Sequence, residues 1–374
     1  MRFERFSLVL LAGAIAAYGQ NSDDAVKINQ IQVIGTHNSY HSGLAPSAHK
    51  WLEQKNPKAM RALDYSHQPL TQQFDGGVRQ IELDIYADTK GGLYAHPAID
   101  KFVQAAGLPA DPPFDPNGIM NKPGFKVMHV QDIDQRSTCQ PFTNCLTEIR
   151  TWSKSHPGHV PIFILVETKE TPMGNRAGFQ AVEPEPFTPA VFDALDAEIL
   201  SVFSKDEIVL PDQVRGSYTT LDEAVHHGNW PTLGEARGKV VFLLDQRKVS
   251  PVYTAEGHTA LKGRVLFTNA APGTPDAAFT EENDGSVEEI NGLAKQGYLI
   301  RTRADSDTEQ ARSNDTSRRD AVLSSGAQML STDYPATEPA ATGYVVYLSG
   351  KVVARCNPVL KPAGCVDSQL ETTK

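Results

Sequence analysis

The chain has 374 residues but only 4 cysteines, and no two of them form a C-x-x-C pair. That spacing is wrong for a structural zinc site. Two disulfides are the plainer use, and proximity in sequence favours Cys139–Cys145 and Cys356–Cys365 among the three possible connectivities. Positive charge is also scarce: 35 Lys and Arg stand against 45 Asp and Glu, for a formal net charge of -10. Without basic runs, such a chain is unsuited to nucleic acid or to electrostatic docking on anionic lipid. No apolar stretch reaches the ~18 residues of a transmembrane helix. The longest, Phe6 to Tyr18, follows Arg2 and Arg5 and ends near the small residues Ala17 and Gly19. Residues 1–19 therefore read as a secretory signal, and the protein as secreted, extracellular or periplasmic, where disulfides persist.

What the sequence does have is a series of short β-rich runs. They are 32–36, 79–86, 125–131, 160–169, 239–246, 263–270, 297–304 and 326–334. Between several of them, apolar residues recur at three- and four-residue steps, as in 145–155 and 189–204, which predicts helices. Gly297 closes a further helical pattern over 287–297. Strands alternating with helices imply parallel pairing, and eight strands predict an α/β fold of the (β/α)8 TIM-barrel type. No repeat or linker divides the chain, so residues 20–374 are expected to form one unit with a core over 31–335. Insertions at 87–124 and 170–188 should rise over the barrel mouth. The tail, 340–374, should carry a β-hairpin within 343–356.

Polar residues collect where these strands end. In QIELDI, Glu82 and Asp84 alternate with Ile81, Leu83 and Ile85, so both carboxylates leave one face. On an isolated sheet that face would be solvated; in a barrel sheathed by helices it points inward, where like charges need a cation or a proton. Glu167 ends the apolar run Ile162–Val166, with Lys169 two residues on as a simple ion-pair partner. His37 and Asn38 follow the first strand, and His129 lies near the end of the third. Asn38, Glu82, Asp84 and Glu167 are hard oxygen donors, a set suited to Ca2+ or, as the weaker alternative, Mg2+. Two histidines beside such a set suit phosphate chemistry, one steadying a phosphoryl oxygen and one protonating a leaving alkoxide.

The stretches GTHNSYH, RQIELDIY, PGFKVMHVQDIDQRSTC, CLTEIRTWSKSHPGHVPIFILVETK, GYLIRTRADSD and GAQMLSTDYP resemble, in order and spacing, the X-region barrel of phosphoinositide-specific phospholipases C. The similarity is greatest to the secreted calcium-dependent members and covers about residues 31–335. The resemblance implies phosphatidylinositol at a membrane surface as substrate, cleaved by attack of an inositol hydroxyl with a carboxylate, Glu82 or Glu167, as base. It implies His37 as the phosphoryl contact, Asn38, Glu82, Asp84 and Glu167 as calcium ligands, and His129 as general acid, with His96 as a rival. Lys169, Arg301, Arg303 and Asp305 are candidate substrate contacts, although the arginines and Asp305 could equally form an ion-pair cluster. The C-terminal calcium- and lipid-binding modules and the X/Y insert of the animal enzymes have no counterpart. A monomer is expected. The competing readings are a glycerophosphodiester phosphodiesterase, against which the missing His-Arg start speaks, and a silent lipid- or sugar-binding barrel. Trp230 reads as a packed core residue rather than an interfacial anchor.

Overall fold

The protein is described here by a computed structural model covering residues 21–174 and 179–371; the proposed signal lies outside the described residues. Among the described residues there are ten strands, β1 (Ile31–Thr36), β2 (Gln80–Tyr86), β3 (Lys126–Val127), β4 (Ile162–Thr168), β5 (Val240–Leu244), β6 (Phe267–Thr268), β7 (Phe279–Glu281), β8 (Leu299–Arg303), β9 (Met329–Thr332) and β10 (Ala354–Cys356). Eight of them run parallel in the order β6-β5-β4-β2-β1-β9-β8-β7. A single parallel bridge between Asn269 and Phe279 brings the end of β6 against β7 and nearly closes the barrel. The expected TIM-type fold is present.

Local sequence accounts for most of the elements. Residues Ile162–Val166 of β4 are all fully buried, because the strand packs side chains both into the barrel and against the helices outside. The helix Phe142–Ser155 buries Phe142, Cys145, Leu146, Ile149 and Trp152, one stripe at helical spacing. The helix Val287–Gln296 starts in a capping box between Ser286 and Glu289 and stops at Gly297, whose φ is 102°. A Cβ at Gly297 would also come 2.3 Å from the Val225 carbonyl oxygen, so glycine is required there twice over. Disulfides join Cys139 to Cys145 and Cys356 to Cys365, the expected pairs. No described helix is long and apolar enough to cross a membrane.

Two expectations are corrected. The run 125–131 is not a barrel strand: only Lys126–Val127 pair, antiparallel to β2 through Ile85–Val127 and Tyr86–Lys126. The chain then tightens into a loop in which Val130 N donates to Asp134 O at 2.9 Å and Asp134 N to Val130 O at 2.8 Å. Barrel position three is filled by β4, and the missing strand is β7, whose three residues are too few to show a period. The C-terminal hairpin is also absent. Between β1 and β2 the register begins only at Gly35–Gln80, which leaves the edge of Ile31–Val33 open. β10 takes that edge, antiparallel, while the first run of the supposed hairpin contributes one bridge from Val346 to Pro335.

The two insertions meet at Asp132. Its carboxylate accepts from Ala98 N at 3.1 Å and from Val182 N at 2.7 Å, which joins both insertions to the loop that carries His129.

Candidate active site

Beyond β1 the chain is clamped between two neighbours: His37 N donates to Thr332 O on β9 at 3.1 Å, and Ser39 N to Glu82 O on β2 at 3.0 Å. Asn38 takes a left-handed conformation, φ 45°, which asparagine tolerates better than most residues. Its Nδ2 donates to the Tyr65 hydroxyl at 2.7 Å. Its Oδ1 is buried without a hydrogen-bond partner.

The next strands supply the carboxylates. Asp84 and Glu167 are register partners on β2 and β4, so both leave the same face. Oxygens of Glu82, Asp84 and Glu167 lie within 4.8 Å of one another. Burial, then the nearby Glu167 charge, pushes the Asp84 carboxyl well above the usual carboxylate range. Glu167 behaves oppositely: burial works against its charge, but the Lys169 ammonium, His129 and His37 together outweigh it and hold its pKa down. Lys169 Nζ is 3.1 Å from Asp84 Oδ2 and 3.1 Å from Glu167 Oε1. The ion pair expected with Glu167 is therefore shared with Asp84.

Two further acids join this end of the barrel. Asp245 follows β5, and burial and Glu281 raise its pKa well above normal. Glu281 ends β7 and is pushed up to about 7 by burial, with Arg301 opposing and Glu82 and Glu167 adding. The cations Arg301 and Lys169 thus face five carboxylates, and Asn38 Oδ1 and Asp84 Oδ1 are buried without hydrogen bonds. An excess of buried hard oxygen donors fits a divalent cation of the calcium class.

Each histidine is backed by an aspartate. His37 Nδ1 is 2.8 Å from Asp333 Oδ1, while its Nε2 lies 3.8 Å from Glu82 Oε1. Arg303 lies against the ring, its Nη1 3.3 Å from His37 Nε2 and its Nη2 3.2 Å from Nδ1. Burial, and then the guanidinium, lowers the His37 pKa despite Asp333, whereas Asp333 is held down at about 2 because His37 and Arg303 outweigh its burial. His129 Nδ1 is 3.0 Å from Asp134 Oδ2, and the His129 field reaches Glu167. His96 is exposed on the first insertion and enters neither cluster.

Arg301 and Asp305 occupy different positions from those expected of substrate contacts. Arg301 is 2% exposed; it donates to Glu82 Oε2, to Asn283 Oδ1 at 2.7 Å and to Ser331 Oγ at 3.1 Å. Asp305 is 1% exposed and accepts from Thr332 Oγ1 and from Asp333 N at 2.9 Å. Both are struts under the site, because a buried charge is held where its partners are. Arg303 and Lys169 remain at the surface of the site. Sequence reading gave no role to His41, Asp134, Asp245, Glu281 or Asp333. Asp245 had a visible signal, a charge closing the apolar run 240–244; Glu281 had none, since its strand was not recognised.

Comparison with known proteins bears on the family and the fold. A family model for Ca2+-dependent phosphoinositide phospholipase C matches residues 26–358. Among solved structures, the calcium-dependent phosphoinositol-specific phospholipase C of a Pseudomonas species, apo form, is 15% identical with a TM-score of 0.53, covering 91% of this chain and 98% of that one. The Ca2+-dependent phosphatidylinositol-specific phospholipase C of Streptomyces antibioticus is 18% identical with a TM-score of 0.51, covering 86% and 98%. At such identities these likenesses establish the fold. No curated protein sequence gives a significant match. The family match spans most of the chain, which therefore belongs to the Ca2+-dependent phosphoinositide phospholipase C family of phosphodiesterases.

Proposed function

We propose that the chain is a secreted phosphatidylinositol-specific phospholipase C that cuts the glycerol–phosphate ester and releases diacylglycerol and a cyclic inositol phosphate. The observation that carries this reading is the convergence of Glu82, Asp84 and Glu167 within 4.8 Å, between two histidines each fixed by an aspartate. Asn38, Glu82, Asp84 and Glu167 would hold calcium. When bound, it would neutralise phosphoryl charge and acidify the inositol hydroxyl.

The protein's own groups do the rest. Glu82 Oε2 is taken by Arg301, so Oε1, the oxygen facing His37, removes the hydroxyl proton. The alkoxide attacks phosphorus in line. Asp333 orients His37 against the phosphoryl group, and Arg303 supplies the positive charge that His37, with its lowered pKa, does not carry at neutral pH. His129, its Nδ1 held by Asp134, gives the Nε2 proton to the departing glycerol oxygen. Export is supported by the leader-like start and by two disulfides.

Purified protein should be assayed on phosphatidylinositol vesicles with and without a calcium chelator, with the phosphorus product identified by 31P NMR. A chelator-sensitive cyclic phosphodiester is expected. Release of glycerol phosphate from glycerophosphoinositol, with phosphatidylinositol left intact, would point to the glycerophosphodiesterase reading, and full activity in chelator would remove the cation from the mechanism.

A further inference from the structure

His41 is fully buried, and no step above uses it. Its Nε2 lies 2.8 Å from Asp134 Oδ2, the same oxygen that His129 Nδ1 approaches at 3.0 Å. One carboxylate oxygen therefore receives two imidazoles. The two rings meet edge to face with centroids 5.8 Å apart, and Tyr65 covers the other side of His41 at 4.7 Å.

The surroundings fix His41 and leave His129 less constrained. His41 N donates to Asn38 O at 2.8 Å, His67 N donates to His41 O at 2.8 Å, and Thr138 N donates to Tyr40 O at 2.7 Å. His41 also bridges to Ser137, so the loop after β1 is stitched to the segment beyond Asp134. His129, by contrast, keeps 19% of its side chain open, one residue before the turn that Val130 and Asp134 close. A carboxylate held only by that turn could rotate; one also held by a buried imidazole cannot do so without losing a charge-assisted hydrogen bond.

We infer that His41 is a positioning residue for the general acid: by anchoring Asp134 Oδ2 it fixes the His129 ring, with Nε2 turned to the leaving oxygen. This rests on the reading of His129 as that acid, and the test separates the two. Three variants, His41→Phe, His41→Gln and His129→Gln, are compared on phosphatidylinositol and on an inositol phosphodiester with a p-nitrophenolate leaving group, which departs without a proton. Phe keeps the ring packing but has no donor; the Gln amide can reach the Asp134 oxygen as Nε2 does.

H41F should lose about 10- to 100-fold in kcat on the lipid, the usual effect of removing a supporting hydrogen bond, at unchanged KM, and stay within about threefold of wild type on the activated substrate, as for any step that needs no acid. H41Q should recover most of the lipid activity. Equal losses of H41F on both substrates, or no loss on either, would overturn the inference. Should H129Q lose equally on both, the general-acid reading itself fails, whatever H41F does. If H41F does not fold, His41→Asn, whose amide is too short to reach Asp134, replaces it with the same expected and opposing results.

Discussion

Arg301→Met separates a strut from a substrate contact. Arg301 and Glu82 have side chains only 2% and 3% exposed, and no solvent can replace the guanidinium once it is gone. Breaking one side of a buried ion pair costs roughly 3–5 kcal/mol, mostly the penalty of the charge left behind. Arg301 also donates to Asn283 and Ser331, so the upper half of that range is expected. With a urea m-value on the order of 3 kcal/mol per M for a chain of this size, the unfolding midpoint should fall by more than about 1 M. The titration is run in chelator, because bound cation would add stability by mass action and hide part of the loss. The double variant Arg301→Met, Glu82→Gln should recover most of it, since exchanging both partners of a buried pair for neutral groups is often neutral. On the activated phosphodiester, R301M should keep its KM. The reasoning is refuted if the midpoint hardly moves while KM rises several-fold, for that is how a substrate contact behaves.

Glu281→Gln tests the electrostatics of the same region. The folded-state pKa of Glu281 is raised from 4.5 to about 7, so between those values the folded protein binds a proton that the unfolded chain has released. Stability must then fall as pH rises through this window, by at most roughly 3 kcal/mol for this residue. The urea midpoint of E281Q relative to wild type should accordingly be higher at pH 7.5 than at pH 4.5; parallel pH curves would refute the shift. Trp230 is 3% exposed and donates to Gly297 O at 2.7 Å. Trp230→Phe should cost about 1 kcal/mol through the lost hydrogen bond, since Asn29 Nδ2 still donates to the same carbonyl at 3.3 Å, with vesicle binding unchanged; loss of vesicle binding at full stability would make it an interfacial anchor instead.

How far the sequence discloses this molecule depends on the range of the interactions concerned. Periodicity sees contacts a few residues apart, and it found the strands around Val33, Leu83, Ile164 and Val241 because each buries a run of apolar side chains. It mistook 125–131 for a barrel strand because Phe125 and Val127 are buried in the main core and Met128 in a small cluster with Tyr86, Tyr94 and Met120, although only Lys126–Val127 pair with a strand. It missed Phe279–Glu281 because three residues hold too little pattern. The same limit applies to the site. Glu82, Asp84 and Glu167 were legible as charges misplaced in apolar strands, and that misplacement is itself evidence of convergence, since a buried carboxylate requires a partner. Asp333 and Asp134 were not legible in that way: each looks like an ordinary loop acid, and only the fold reveals that one lies 296 positions from His37 and still within 2.8 Å of it.

The same limit bears on how each role can be assigned. A ligand set is over-determined, because several misplaced charges point to one ion, and removing any one of them should weaken binding. A histidine's partner is a single contact that the apolar pattern does not mark, whether it lies 296 residues away as for His37 or five as for His129, yet it decides which ring nitrogen holds a proton. His37 and His129 are alike as letters in the sequence. On the proposed mechanism, Asp333 with Arg303 makes the first a ring of lowered pKa beside a fixed positive charge, and Asp134 with His41 orients the second toward the leaving group. The division of labour between the two imidazoles therefore resides in their neighbours.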